Sequence, residues 1–154
     1  MAANHTIIVG VSASPASLEA VTVACRAAKA TRSRVLVIHV IEVKRSLAVN
    51  AELDAEARKG EQILRRAEEV AAQAGVTVEA ELLQARQAGE ALVEEARNRH
   101  ADALAIGLGT SPVLGHFRMG KTAAYVLQYS PSSVWLIRAG SLPAHTHVEE
   151  TAGP

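Results

Sequence analysis

Five short apolar runs, each separated from the next by a stretch with helical spacing, constrain this chain more than any other feature. Thr6 to Val11 (TIIVGV), Val35 to Ile41 (VLVIHVI) and Ala103 to Leu108 (ALAIGL) are continuously apolar, the pattern of strands covered on both faces. Val76 to Leu83 (VTVEAELL) alternates apolar and polar over its first half, which suits an edge strand with one wetter face. Ser133 to Arg138 (SVWLIR) closes the series.

The intervening stretches read as helices. Ser14 followed by Pro15 supplies an N-cap oxygen and then a residue whose fixed φ suits the first helical position. Leu18, Val21, Cys25 and Ala28 form one stripe that fades in TRSR, so Cys25 is expected inside, as an inert buried thiol. From Leu47 the composition turns to Ala, Glu, Arg and Lys, with Ile63, Ala67, Val70 and Ala74 at helical spacing before Gly75. This predicts the longest helix, with a glycine stop. Gly89 to Arg99 and Lys121 to Tyr129 are the remaining helical stretches. Strands alternating with helices require right-handed crossovers, hence an α/β fold with a parallel sheet and helices on both faces.

In such a sheet, ligands bind beyond the carboxyl ends of the strands, where the winding direction reverses. The loops after the first and the fourth strand both qualify. The second is the more informative, since Gly107, Gly109, Gly115 and Gly120 are four of the chain's ten glycines. Glycine lets backbone N–H groups approach an anion, and a helix N-terminus adds unpaired donors and a favourable dipole. His116, Arg118 and Lys121 lie in the same segment. Phosphate is the natural guest, the competing reading being a long turn.

Charge makes that locality necessary. Acidic and basic residues balance at sixteen each, so no net positive field gathers nucleic acid or an anionic membrane. At 154 residues the chain has the size of one domain; we expect it to span 1–140, followed by a disordered tail over 141–154. The single cysteine and the lack of a leader pattern point to the cytoplasm. No apolar run approaches the roughly 20 residues that cross a bilayer.

Gly115 to Thr122, GHFRMGKT, satisfies the P-loop expression G-x-x-x-x-G-K-[ST]. A P-loop leaves its strand directly, however, and here several residues precede Gly115. SVWLIR also ends without the aspartate that holds the metal in such enzymes. No other constellation suggests catalysis. His39 reads as a paired core histidine, His145 and His147 as solvated residues of the tail, and Glu68-Glu69 and Glu94-Glu95 as solvated helix faces.

Nearly the whole ordered chain, through IIVGVSASPAS, LVIHVIE, ADALAIGLG and SSVWLIR, resembles a universal stress protein. The resemblance implies a five-stranded sheet of order 3-2-1-4-5. It also implies an ATP site marked by G-2x-G-9x-G and then Ser or Thr after the fourth strand. Gly107 and Gly120 fall on the first and last glycines, Thr110 stands at the second, Lys121 at the hydroxyl position and Thr122 one residue later. Lys121 then pairs with phosphate as a point charge and Thr122 supplies the displaced hydroxyl, while Thr110 brings a Cβ where the family uses glycine. After the first strand Ser12 stands where an aspartate is usual, and Gly10, Ser12, Val40 and Ile41 would line the adenosine. Magnesium, if ATP brings it, is held mainly by phosphate oxygens and water.

SVWLIR is expected at a sheet edge, yet it is apolar on both faces and carries the only tryptophan. Val134, Trp135, Leu136 and Ile137 are therefore the expected dimer interface, as the resemblance also implies. The expectation is a cytoplasmic homodimeric regulator that binds ATP or another adenine nucleotide with little turnover. The alternatives are a dimeric interaction module without nucleotide, serving a transporter or signalling partner, and an NTPase working through GHFRMGKT.

Overall fold

The computed structural model describes residues 5–109 and 119–140. Strands and helices alternate strictly: β1 Thr6–Gly10, α1 Pro15–Thr31, β2 Arg34–Glu42, α2 Asp54–Gln73, β3 Glu79–Ala85, α3 Ala88–Asn98, β4 Ala103–Leu108, α4 Lys121–Tyr129 and β5 Ser133–Arg138. Among the described residues they form one five-stranded sheet of order β3-β2-β1-β4-β5, with every pairing parallel. β1 takes the centre: Gly10 at its end is in register with Ile38 on one side and Ile106 on the other.

Strand periodicity divides the core in two. Ile7, Val9, Val35, Val37, Ala103 and Ala105 face α1 and α2, whereas Ile8, Leu36, Ile38, Leu104 and Ile106 face α3 and α4. α1 begins as its sequence dictates. Ser14 caps it in an extended conformation, accepting the Ser17 N–H, and Pro15 follows at the first turn. Its buried stripe is built of small residues, with Ala20, Val21, Ala24, Cys25 and Ala28 against the sheet. Cys25 is fully buried, and desolvation pushes its thiol pKa up.

Two boundaries differ from the sequence expectation. The longest helix starts at Asp54, not near Leu47, because residues 44–53 are held by side chains of β3 and its exit. Gln84 Nε2 donates to the Val49 and Ala51 carbonyls, each at 3.0 Å, and Arg86 donates to the Lys44 carbonyl at 2.6 Å. Those carbonyls would serve a helix had it begun earlier. Asp54 and Glu56 then occupy the first turn of α2, where the helix dipole favours acidic groups. β3 starts at Glu79 instead of Val76. Val76 and Val78 pack against the α1–α2 half of the core without joining the ladder. Gly75, with φ of +80°, makes the turn that ends α2.

Candidate functional site

The chain winds outward from β1 through β2 to β3, then returns to lay β4 on the other side of β1. Beyond the carboxyl ends of β1 and β4 the connections leave for opposite faces, and a crevice opens between them. There a cavity of about 240 Å³ is bordered by Gly10 and Ser12 after β1, Val40 of β2, Gly107 and Gly109 at the end of β4, and Gly120, Lys121 and Thr122 at the start of α4. Eight of the ten residues expected around a nucleotide thus converge on one space. Ile41 does not join them. It follows Val40 by one position in a strand, so its side chain takes the other face, and it borders a neighbouring depression with Glu56 and Lys59. Thr110 lies outside the described residues, as do Gly115, His116, Arg118, most of GHFRMGKT, His145, His147 and the segment from 141 onward.

The four described glycines of the site serve different ends. An ideal Cβ on Gly107 would stand 2.3 Å from the backbone carbon of Ala16 and 2.5 Å from the Ser17 nitrogen. Glycine is needed there so that β4 can lie against the first turn of α1. On Gly10 the same atom would come within 2.7 Å of Leu92 Cδ1, so its absence admits the leucine that lines the cavity. Gly109 and Gly120 differ: a Cβ on either meets nothing within 4 Å among the described residues. Neither has a positive φ. Their want of a side chain serves no packing or backbone need of the described fold.

Gly120 is also the N-cap of α4 and makes no side-chain cap bond. The first intrahelical bond is from Ala124 N–H to the Gly120 carbonyl, which leaves the N–H groups of Lys121, Thr122 and Ala123 without intrahelical acceptors. All three residues border the cavity. The helix dipole adds partial positive charge at the same end. Lys121 Nζ, mostly exposed, lies 3.6 Å from Glu42 Oε1, and Glu42 Oε2 accepts the Ala88 N–H at 2.8 Å. Chemically, this end of the cavity is suited to an oxyanion.

The turn after β1 is a cluster of hydroxyls. Ser17, only 2 % exposed, accepts the Ser12 N–H at 2.9 Å and lies 3.1 Å from Ser12 Oγ, while Ser14 N–H donates to Ser12 Oγ at 3.3 Å. Ser17 is a lining residue that the sequence reading missed, although its place three residues after an N-cap serine in SASPAS was the available signal. His39 is the other. Its Nδ1 donates to the Val11 carbonyl at 2.8 Å, tying the exit of β1 to β2, and it borders the cavity. An apolar strand context gave no hint that the position was terminal enough to reach the crevice.

β5 is an edge strand, paired only with β4 among the described residues. Val134 and Leu136 pack toward α3 and α4, Trp135 and Ile137 toward α1 and α2, and all four remain half-buried. No helix among the described residues is long and apolar enough to cross a membrane.

Fold and crevice together define a doubly wound parallel α/β domain with a cavity at its topological switch point. The chain belongs to the universal stress protein family, whose family model matches residues 3–138. Among solved structures, it is similar to a universal stress protein from Archaeoglobus fulgidus at 21 % identity and a TM-score of 0.71, covering 86 % of this chain and 93 % of that one. A universal stress protein from Archaeoglobus fulgidus in complex with dAMP aligns at 19 % identity and TM-score 0.69 over 89 % and 99 % of the two chains. A universal stress protein in complex with cAMP aligns at 25 % identity and TM-score 0.66, covering 90 % of this chain and 99 % of that one. A comparison with curated proteins finds no match.

Proposed function

We propose that this chain is a regulatory domain that binds an adenine nucleotide in the crevice between β1 and β4 and turns it over slowly or not at all. The observation that carries the proposal is the pair Gly109 and Gly120. Both border the cavity, both point an absent Cβ into space free of described atoms, and Gly120 opens onto the first amides of α4, which have no intrahelical acceptor. Phosphate lies against those amides, with Lys121 and Thr122 beside it. The nucleoside lies toward Gly10, Ser12 and Val40, over the apolar wall that includes Leu92. The complexes of related proteins with dAMP and cAMP support the adenine class of ligand. The expectation of ATP in particular, with or without magnesium, rests on a loop motif whose second position, Thr110, lies outside the described residues.

In the same proposal the domain spans 1–140, works in the cytoplasm and pairs with a second copy through the open edge of β5, where Val134, Trp135, Leu136 and Ile137 are only half-buried. The test of nucleotide binding is thermal denaturation with and without millimolar adenine nucleotide, combined with mass spectrometry of small molecules released from the heat-denatured protein. A ligand that binds only the folded state at about 100 times its Kd adds about 2.7 kcal/mol, enough to raise Tm by several degrees. No shift and no released nucleotide would refute the proposal.

One observation favours a second reading, a dimeric interaction module without nucleotide. Ser12 stands where the family usually carries an aspartate, and its hydroxyl is already engaged with Ser14 and Ser17. Capture of a partner that is indifferent both to nucleotide and to Lys121→Ala distinguishes that reading.

A further inference from the structure

A carboxylate stands beside the anion-adapted end of the cavity. Glu42, the last residue of β2, uses Oε2 to accept the N–H of Ala88 at 2.8 Å, the first residue of α3. Gln87, the N-cap of that helix, makes no side-chain cap bond, so Glu42 supplies an acceptor from another element. Its other oxygen lies 3.6 Å from Lys121 Nζ. A carboxylate anchored by a backbone donor does not simply swing away when an anion arrives.

The second observation concerns what Lys121 is left to do. It is the one lysine or arginine among the described residues that border the cavity, and Glu42 balances its charge. The adjoining depression shares His39, Val40, Ala88 and Thr122 with the cavity. It adds one further cation, Lys59, but also Glu56 and Glu42 itself. Helix amides and glycine backbone suit a single phosphate group, whose requirements are local. Each further phosphate adds negative charge, which the anchored Glu42 carboxylate opposes while it also holds Lys121.

We infer that Glu42 is a selectivity residue that sets this site against polyphosphates, so that an adenine nucleotide bearing one phosphate group is held at least as well as ATP. The inference rests on the adenine-nucleotide reading above and specifies its ligand. Glu42 acts by like-charge repulsion and by occupying Lys121, which is a means of specificity through an unfavourable contact with the wrong ligand. At 37 % side-chain exposure the carboxylate is partly solvated. One like charge roughly 4 Å from an added phosphate charge is then worth about fivefold in affinity, the value near the aqueous limit.

The experiment is isothermal titration of the full chain with AMP, ADP and ATP in magnesium-free buffer of low ionic strength, for the wild type and for Glu42→Gln. Glutamine keeps an oxygen for the Ala88 N–H and removes only the charge. The wild type is expected to bind ATP no more tightly than AMP, and Glu42→Gln to raise the ratio of ATP to AMP affinity about fivefold, with the gain shrinking as salt is added. A wild-type affinity that climbs about tenfold or more from AMP to ATP overturns the inference, and that comparison stands even if the variant fails to fold. So does a ratio that Glu42→Gln leaves unchanged, while the nucleotide reading survives. Absence of binding by all three nucleotides overturns the nucleotide reading and the inference with it.

Discussion

The backbone carbon of Ala16 lies where a Cβ on Gly107 would have to be, 2.3 Å from that atom's ideal position. The closeness of β4 to the first turn of α1 thus depends on one missing methyl group. It gives Gly107 a duty to the fold that its place in a glycine-rich binding motif does not reveal.

Glycine substitutions therefore separate stability from binding. Gly107→Ala is expected to cost about 2–3 kcal/mol, the upper range for overpacking, because backbone cannot yield as a side chain can. Gly109→Ala and Gly120→Ala should leave stability within about 0.5 kcal/mol or raise it slightly, since among the described residues neither meets an obstacle, and neither has a left-handed φ. Both should weaken nucleotide binding. Urea denaturation beside nucleotide titration of the three variants checks the contrast; equal stabilities would remove Gly107 from the packing role.

Cys25 should ignore thiol reagents in the native protein. It is fully buried, and burial holds its pKa above the ordinary thiol value. Modification by a chromogenic disulfide is expected to follow unfolding, its rate rising with denaturant. Rapid labelling of the folded chain would show that α1 leaves the sheet more readily than its packing indicates.

Asp102 ties the approach to β4 to the start of β1. Its carboxylate accepts the Thr6 N–H at 2.8 Å and lies 3.3 Å from His5 Nδ1. The Thr6 bond first, and His5 after it, hold the Asp102 pKa below its ordinary value. A depressed carboxylate pKa contributes stability that is fully present above the unfolded value of about 4 and is lost as pH falls through the folded one. With the side chain about half exposed, the contribution should stay under about 1 kcal/mol. Urea midpoints measured from pH 6 down to pH 2 should fall less steeply for Asp102→Asn than for the wild type at the acidic end, and identical slopes would refute the assignment.

Trp135 reports on the proposed pairing of β5, because it is the only tryptophan in the chain and is half-buried in one protomer. Dilution through the dimer dissociation range should shift its emission to longer wavelength, in step with a halving of the sedimenting mass. A monomeric mass at all concentrations would leave the edge of β5 without its proposed partner.

Some of this molecule is written locally. Ser14 and Pro15 start α1 where they stand because cap chemistry needs only neighbours in sequence, and Gly75 ends α2 for the same reason. The onset of α2 was not legible, because residues 44–53 are held by Gln84 and Arg86, more than thirty positions away. In the site, the glycines after β4 pointed to the crevice, and Gly107, Gly109 and Gly120 border it. Ile41 borders only the adjoining depression, because neighbours in a strand take opposite faces.

By itself the sequence determined the alternation of strands and helices, since that follows from periodicity and chirality, and it pointed to the loops after the first and fourth strands as the place for a crevice; the central place of β1 came only with the family resemblance. Only the tertiary structure decided which glycine serves packing and which leaves space, and that Glu42 stands between the N-termini of α3 and α4. Such relations join residues from 46 to 91 positions apart in the chain, and distance of that kind is fixed by how the layers pack, which no local pattern encodes.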